Sequence, residues 1–557
     1  MAGISRRLAG VSYRGPEEAT RYFASGAWID ITIGDALRRT AARVPDRIAF
    51  CSEEGREITF RQLDEQSERL GAALLDLGFT PGDRAIFQMG TVLETVVALT
   101  ACFKAGILPV ATVAQYREIE VGQLTDLSGA TGYFVQADFS AFDLVGFAQS
   151  MQAKHPGLKH LVVARAKGPG AYVQMESLIE SVPLEAARKR LAEVEIGTED
   201  CFIFQLSGGS TGVPKIIPRF HAEYLGHSAA WSKILRIDEH SIGLWSLPII
   251  HNAGQIWAYM PTLLWGRTMV LMSRVDIPLM LELMARRRVT ESFSIGPIAP
   301  QMLAYKDIRR HDLSSLRYFI SMGNSKAIEA HLGVKMSNLY GITEGLLMTG
   351  SPDSPAAVRH NTHGFSGCPD DEIRIVAPGS DTPVRDGELG ELTFRGPSSL
   401  RAYYNAPDLT AETVSTEGFV HTGDLAIAHT IEGVRCYSFE GRTKDNINRG
   451  GEKYGTFEVE NLIRLHPDVS DVAIVPMPDP VYLERACAYV IARPGAAVPE
   501  LKTLGDFLIA QGLAKFKLPE RVEPMTAFPV TRVGKLDKLE LRKSIARKLE
   551  EERGKPA

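Results

Sequence analysis

The chain has 557 residues, too many for one ordinary core, so two or more domains are expected. Its 45% hydrophobic and 23% charged residues are those of a folded globular protein and exclude extensive disorder, and a net charge of −5 gives no electrostatic footprint for nucleic acid. Six cysteines, at 51, 102, 201, 368, 436 and 487, form no C-x-x-C pair, so neither a zinc site nor a disulfide framework is indicated, and a reducing, cytoplasmic compartment is expected.

In chain order, the first ten residues carry Arg6-Arg7 but no apolar run, so no secretory leader is expected. Between 31 and 350, short apolar strands alternate with helical patterns. Asp83–Phe87 reads as a strand and Leu93–Lys104 as a helix. Cys201-Phe202-Ile203-Phe204 reads as a buried strand, followed by a glycine-rich stretch and a mostly helical segment from Ala222. Ser241–Gly266 holds no Asp, Glu, Lys or Arg and is long enough to span a bilayer. Pro248, Pro261, His251, Asn252 and Gln255 interrupt it with groups that lipid would not satisfy. A buried strand running into a pocket-lining loop and helix is the reading adopted, and no membrane is expected. Thr268–Met272 and Leu316–Ile320 are further strands. The alternation predicts an α/β fold of layered, largely parallel sheets. From Glu372 to Arg395, short alternating runs between Gly, Pro and Asp turns predict an antiparallel sheet or small β-barrel-like subdomain. Past Gly441–Asp445 the pattern becomes α+β. It has a helix over Thr456–His466, strands at Val472–Val475 and Ala488–Ile491, a helix from Leu501, and a basic final helix read as one solvated face. The expected domains are 1–443, the large α/β part with its barrel-like subdomain, and 444–557, a small α+β domain.

The most informative stretch is Ser207-Gly208-Gly209-Ser210-Thr211-Gly212-Val213-Pro214-Lys215. Glycines let backbone N–H groups turn toward an anion, hydroxyls donate to phosphate oxygens, and the lysine adds a point charge. A Walker loop would end in Gly-Lys-Ser/Thr, which this one does not, and no G-x-G-x-x-G follows a strand elsewhere. Strand, glycine loop and helix in succession predict a polyphosphate cradle rather than a linker. Downstream, Glu344 in Tyr340-Gly341-Ile342-Thr343-Glu344-Gly345 lies between two glycines at a strand end, where a carboxylate can hold the Mg²⁺ of a nucleotide. In His421-Thr422-Gly423-Asp424 one carboxylate follows a tight turn, suited to a ribose diol, and Gly441-Arg442 offers a further donor. Thr531 to Lys538 places Lys535 on a glycine loop.

Together these motifs, with Ile217-Pro218-Arg219, Pro248 before His251-Asn252, and Asn446 to Lys453, resemble the adenylate-forming superfamily of acyl-CoA synthetases, luciferases and adenylation domains. Within it the chain is most similar to stand-alone aryl-acid–AMP ligases of siderophore and related natural-product pathways. The resemblance runs from about residue 12 to 545. It implies ATP and Mg²⁺ as cofactors and an aryl carboxylic acid as substrate. The implied acceptor is the phosphopantetheine thiol of an aryl or acyl carrier protein, or alternatively free CoA. It implies that Ser207 to Gly212 and Lys215 hold the β/γ-phosphates. Gly323, Leu339, Tyr340 and Thr343 would surround adenine and the α-phosphate, Glu344 would ligate Mg²⁺, and Asp424 with Arg442 would take the ribose. Lys535 would bridge carboxylate and α-phosphate, Lys444 would be the hinge of a mobile C-terminal domain, and Lys535, Lys215 and Glu344 form the catalytic set. A catalytically silent nucleotide-binding relative is the alternative of another class, and the intact set argues against it.

The same resemblance places the acid among His221, His251, Asn252, Gln255, Gly323 and Leu347. Asn252 matches the residue that hydrogen-bonds an ortho substituent. The siderophore enzymes continue His-Asn-Tyr-Pro-Leu-Ser-Ser-Pro-Gly, whereas this chain reads His251-Asn252-Ala253-Gly254-Gln255-Ile256-Trp257. The serine that would bind a second ring hydroxyl is absent, which argues against 2,3-dihydroxybenzoate. Salicylate, another hydroxy- or aminobenzoate, and a heteroaryl acid stay open, with Gln255 and Trp257 as residues that could reshape the slot.

Overall fold

The computed structural model describes residues 3–207, 214–294, 298–442, 446–449, 452–479, 482–511, 513, 515–530 and 536–553. The chain forms two compact units. One comprises the chain through Glu372 with Phe394–Val420 and Ile431–Cys436; the other comprises Ile373–Thr393, His421–Thr430 and the chain from Tyr437 on.

The first unit holds two large sheets. The seven-stranded sheet runs, edge to edge, Val173–Gln174, His160–Ala164, Gly132–Gln136, Arg84–Gln88, Leu108–Val110, Cys201–Ser207 and Lys215–Phe220. Every pairing in it is parallel except the last, an antiparallel pair whose register ends at Ser207 opposite Lys215. The nine-stranded sheet runs Phe365–Ser366, Leu347–Thr349, Met336–Gly341, Tyr318–Ser321, Glu291–Ser294, Ile242–Trp245, Thr268–Leu271, Ile48–Ser52 and Glu57–Thr59. Its six central strands are parallel and its edges antiparallel. One apolar cluster, with Phe50, Phe87, Phe134, Trp245, Phe293 and Leu339, lines a face of both sheets. Helix starts follow side-chain chemistry: Thr32 and Thr59 close capping boxes with Asp35 and Gln62. The expected layered α/β architecture is therefore present.

One local expectation is overturned. The glycine-rich stretch does not lead from a strand into a helix. It joins Cys201–Ser207 to the antiparallel strand Lys215–Phe220, and the helix His221–Ile234 begins only afterwards. Ile216, Ile217 and Phe220 are buried, and pairing with the buried Cys201–Ser207 strand wins over helix formation, which Pro218 would break. The helix therefore starts one strand later than the phosphate motif.

Glu372–Val376, Leu389–Arg395, Val420–Ile431 and Val434–Arg442 lie in that order in a four-stranded sheet. A five-stranded sheet joins Glu452–Gly455, Asn446–Arg449, Leu483–Ala492 and Val469–Asp479, with Arg521–Pro524 parallel to Leu483–Ala492. Its alternation is legible residue by residue. Val472 and Ile474 pack with helices Thr456–Ile463 and Leu501–Ala510, while Ala473 and Val475 pack with Leu541 and Ile545 of the final helix, Lys538–Arg553. All six cysteines are buried and free of disulfides. Among the described residues no helix is long and apolar enough to cross a membrane.

Candidate active site

Ser207 ends its strand at the rim of the seven-stranded sheet, and Lys215 faces it across the antiparallel register. Gly208 to Gly212, between them, lie outside the described residues, as do Lys444 and Lys535. Thr343 and Glu344 sit in the tight connection between strands Met336–Gly341 and Leu347–Thr349, closed by bonds between Ile342 and Leu346 and from the Gly345 N–H to the Ile342 carbonyl. Gly345 is obligatory there. Its φ is 125°, and a Cβ would stand 1.8 Å from the Ser398 carbonyl. The Glu344 carboxylate is brought to the phosphate motif: its Oε1 accepts from the Ser207 hydroxyl at 2.9 Å and from the Tyr403 hydroxyl at 2.9 Å. The Lys215 ammonium stands 4.9 Å from the centre of the Tyr403 ring.

Beneath this lies a guanidinium that is 1% exposed. Arg219 pairs with Glu223 at 2.9 Å and donates to the Ser398 carbonyl at 2.8 Å and to the Thr343 carbonyl. Burial alone would lower its pKa, but Tyr224, Glu223 and Glu344 outweigh burial and raise it, so the charge is kept. Gly323, at φ 88°, lies two residues past the strand Tyr318–Ser321 with open space where a Cβ would be, and Leu339 and Tyr340 are buried on the strand beside it.

The uncharged window folds as strand Ile242–Trp245, a connection, and one continuous helical run from Asn252 to Trp265 with a π turn over Gln255–Tyr259. Pro261 cannot donate to the Trp257 carbonyl, and the buried Arg267, paired with Glu291 at 2.6 Å, takes that carbonyl instead. Asn252 is 5% exposed, and its Oδ1 accepts from the Tyr224 hydroxyl at 2.5 Å. The His251 ring caps the helix by accepting from the Ala253 N–H at 3.3 Å. Gln255 is fully buried, its amide donating to the Ile249 carbonyl at 2.7 Å. Trp257 is also fully buried, stacked on Phe293 at 5.0 Å and edge-on to Trp231 at 6.1 Å. Leu347 belongs to the adjoining apolar cluster.

His221 serves the fold: its ring accepts from the Ile33 N–H at 3.3 Å. His227, on the same helix, accepts from the Trp231 indole at 3.2 Å. Burial pulls both pKa values down to about 3, so both rings are neutral in the fold and would take protons once unfolded. The stability they contribute is fully present above pH 6.5, the ordinary histidine value, and is lost as pH falls toward 3. Urea unfolding at pH 7.5, 6 and 5 is expected to show stability dropping by several kcal/mol, with a shallower fall in His227→Gln, which keeps an acceptor for Trp231 without titrating.

In the second unit Asp424 is buried and Arg442 stands 3.0 Å from its carboxylate. Asp424 is presented by a left-handed Gly423, φ 70°, whose N–H donates to Glu391 at 3.0 Å, while Thr422 accepts from the Asp424 N–H at 3.1 Å. The pairing of these two residues, suggested by their motifs, is thus made within one unit.

Sequence reasoning missed Tyr403, Tyr224 and any role for Arg219. Tyr224 had a findable signal, since it follows His221 at helical spacing on the face turned to the acid segment. Tyr403, in Arg401-Ala402-Tyr403-Tyr404-Asn405, had none.

Two family models match: AMP-binding enzyme over residues 37–404 and AMP-binding enzyme C-terminal domain over 458–535. The chain is 37% identical to pyochelin synthase PchD of Pseudomonas aeruginosa over 539 residues, covering 95% of each chain. It is 35% identical to the 2,3-dihydroxybenzoate-AMP ligase of Bacillus subtilis, covering 96% of this chain and 97% of that one. Its fold superposes on the apo structure of MbtA from Mycobacterium smegmatis with a TM-score of 0.72 at 28% identity, covering 96% of this chain and 99% of that one. The chain therefore belongs to the AMP-binding, adenylate-forming enzyme family.

Proposed function

We propose that this enzyme activates an aryl carboxylic acid with ATP and passes the acyl group to the phosphopantetheine thiol of a carrier protein. The observation that carries this reading is the buried Asn252, held by Tyr224 in an uncharged, tryptophan-rich segment, within a chain that aligns end to end with a 2,3-dihydroxybenzoate-AMP ligase. Apolar walls with one oriented amide suit a planar acid with a single polar substituent.

In the first step a carboxylate oxygen attacks the α-phosphorus and the bond to the β-phosphate bridging oxygen breaks, releasing pyrophosphate and leaving aryl-AMP. Ser207 and Lys215, with Ser210 and Thr211 between them, hold the departing phosphates. Lys535 holds carboxylate and α-phosphate together, and Asp424 and Arg442 hold the ribose. The residues present fit Mg²⁺: Glu344 offers a hard oxygen, and among the described residues no cluster of three or more His, Cys, Asp or Glu could cage a metal alone. That suits an ion arriving with its nucleotide. When bound, Mg²⁺ neutralises phosphate charge. In the second step the thiol sulfur attacks the acyl carbon and gives up its proton to solvent, the carbon–oxygen bond to AMP breaks, and AMP leaves. Lys535 is not needed then, and rotation of the 444–557 domain about Lys444 is proposed to withdraw it. Buried, unbridged cysteines and the need for ATP fit a cytoplasmic reaction.

The Tyr224–Asn252 bond supports a narrower choice of acid. Tyr224 donates its only hydroxyl proton to Asn252 Oδ1, so the amide offers its N–H₂ to the substrate. An ortho acceptor, such as the oxygen of salicylate or the ring nitrogen of a picolinate, completes that bond. An ortho-amino group would set donor against donor. Acid-dependent ATP–pyrophosphate exchange across salicylate, picolinate, anthranilate and benzoate is expected to favour the first two. Asn252→Ala should cost about tenfold with them and little with benzoate. A uniform loss would make Asn252 structural, and absence of exchange with every aryl acid would end the reading. Product analysis with CoA against a panel of carrier proteins identifies the acceptor.

A further inference from the structure

Lys215 and Glu344 carry opposite charges at one rim of the fold, yet they make no ion pair with one another. Tyr403 stands between them, 3% exposed, with its ring toward the ammonium at 4.9 Å and its hydroxyl on the carboxylate at 2.9 Å. We propose that Tyr403 is a positioning residue that keeps the two charges apart and decides which oxygen of Glu344 meets the metal-bound nucleotide. This rests on the reading of Glu344 as the Mg²⁺ ligand.

The hydrogen bonds are one-sided. Glu344 Oε1 takes both the Ser207 and the Tyr403 hydroxyls, at 2.9 Å each. Two donors occupy that oxygen, and no bond to Oε2 exists among the described residues, so Oε2 is the one presented. The backbone beneath cannot swing to exchange them. Leu400 N–H holds the Glu344 carbonyl at 2.7 Å, Arg219 holds the Thr343 carbonyl, and Gly345 packs against Ser398 with no room for a side chain. Tyr403 is fixed in turn, its own N–H donating to Thr410 at 3.0 Å. Without Tyr403, Lys215 and Glu344 would be free to neutralise one another, and ATP would have to break that pair before using either charge.

The decisive variant is Tyr403→Phe, which keeps the ring beside Lys215 and deletes only the donor. The Mg²⁺ concentration for half-maximal exchange is expected to rise about tenfold, with a parallel rise in KM for ATP and an unchanged KM for the acid. Calorimetric titration of the enzyme with Mg²⁺·ATP, without acid, should weaken by the same factor. Tyr403→Leu, which also loses the ring, should weaken it further. Wild-type Mg²⁺ and ATP dependence in Tyr403→Phe, while Glu344→Gln loses both, overturns the proposal and leaves Glu344 as the metal ligand. Wild-type dependence in both variants overturns that assignment as well. A Tyr403→Phe enzyme whose acid KM and thermal midpoint move as much as its Mg²⁺ dependence makes Tyr403 merely structural, which also overturns the proposal.

Discussion

Lys535→Ala is expected to abolish acid-dependent ATP–pyrophosphate exchange, by on the order of a hundred- to a thousandfold, while thioester formation from supplied aryl-AMP continues near the wild-type rate. The reasoning is electrostatic. Attack by a carboxylate on a phosphate brings negative charge to negative charge, and a lysine bridging the two groups lowers that barrier only where both are present. In the second step the carboxylate has become an acyl carbon and the nucleophile is a thiol, so the same ammonium has nothing left to neutralise. Stopped assays of the separate half-reactions check this directly. Equal loss in both would remove Lys535 from its assigned place and make the C-terminal glycine loop a structural element.

Arg219→Met is expected to cost about 3–5 kcal/mol of stability, measured by the urea midpoint. Its guanidinium is nearly inaccessible and satisfies the Glu223 carboxylate and the carbonyls of Thr343 and Ser398. Removing it leaves a buried charge and two buried acceptors without their donor. Replacing Glu223 by Leu in the same chain should recover a sizeable part, because the uncompensated charge is then gone. Without recovery, the cost would lie in the carbonyl contacts and the shape of the Thr343–Glu344 turn rather than in the ion pair. The two possibilities have different consequences for activity. Recovered stability with poor Mg²⁺·ATP binding would show that Arg219 sets the turn as well as the fold.

The apolar run Val472 to Val475 specified a strand, and because side chains in an extended backbone alternate, the fold covers it on two faces. The apolar runs before residue 350 specified buried strands of an α/β fold, and the motifs in order specified an AMP-binding enzyme. These signals are local or compositional, and local chemistry is what a linear pattern records. Tertiary structure decided the rest. The segment after the phosphate motif became a strand rather than a helix because Lys215–Phe220 found a partner in Cys201–Ser207. Gln255 and Trp257, which could have lined the slot, were drawn into the core by a π turn whose free carbonyl is taken by Arg267. Ser207 meets Glu344 across 137 residues of chain and Arg219 meets Thr343 across 124, while Tyr224 reaches Asn252 from a neighbouring helix. Such contacts leave no periodicity. They exist because buried charges and hydroxyls must find partners wherever packing brings them, and only the folded chain determines which partners those are.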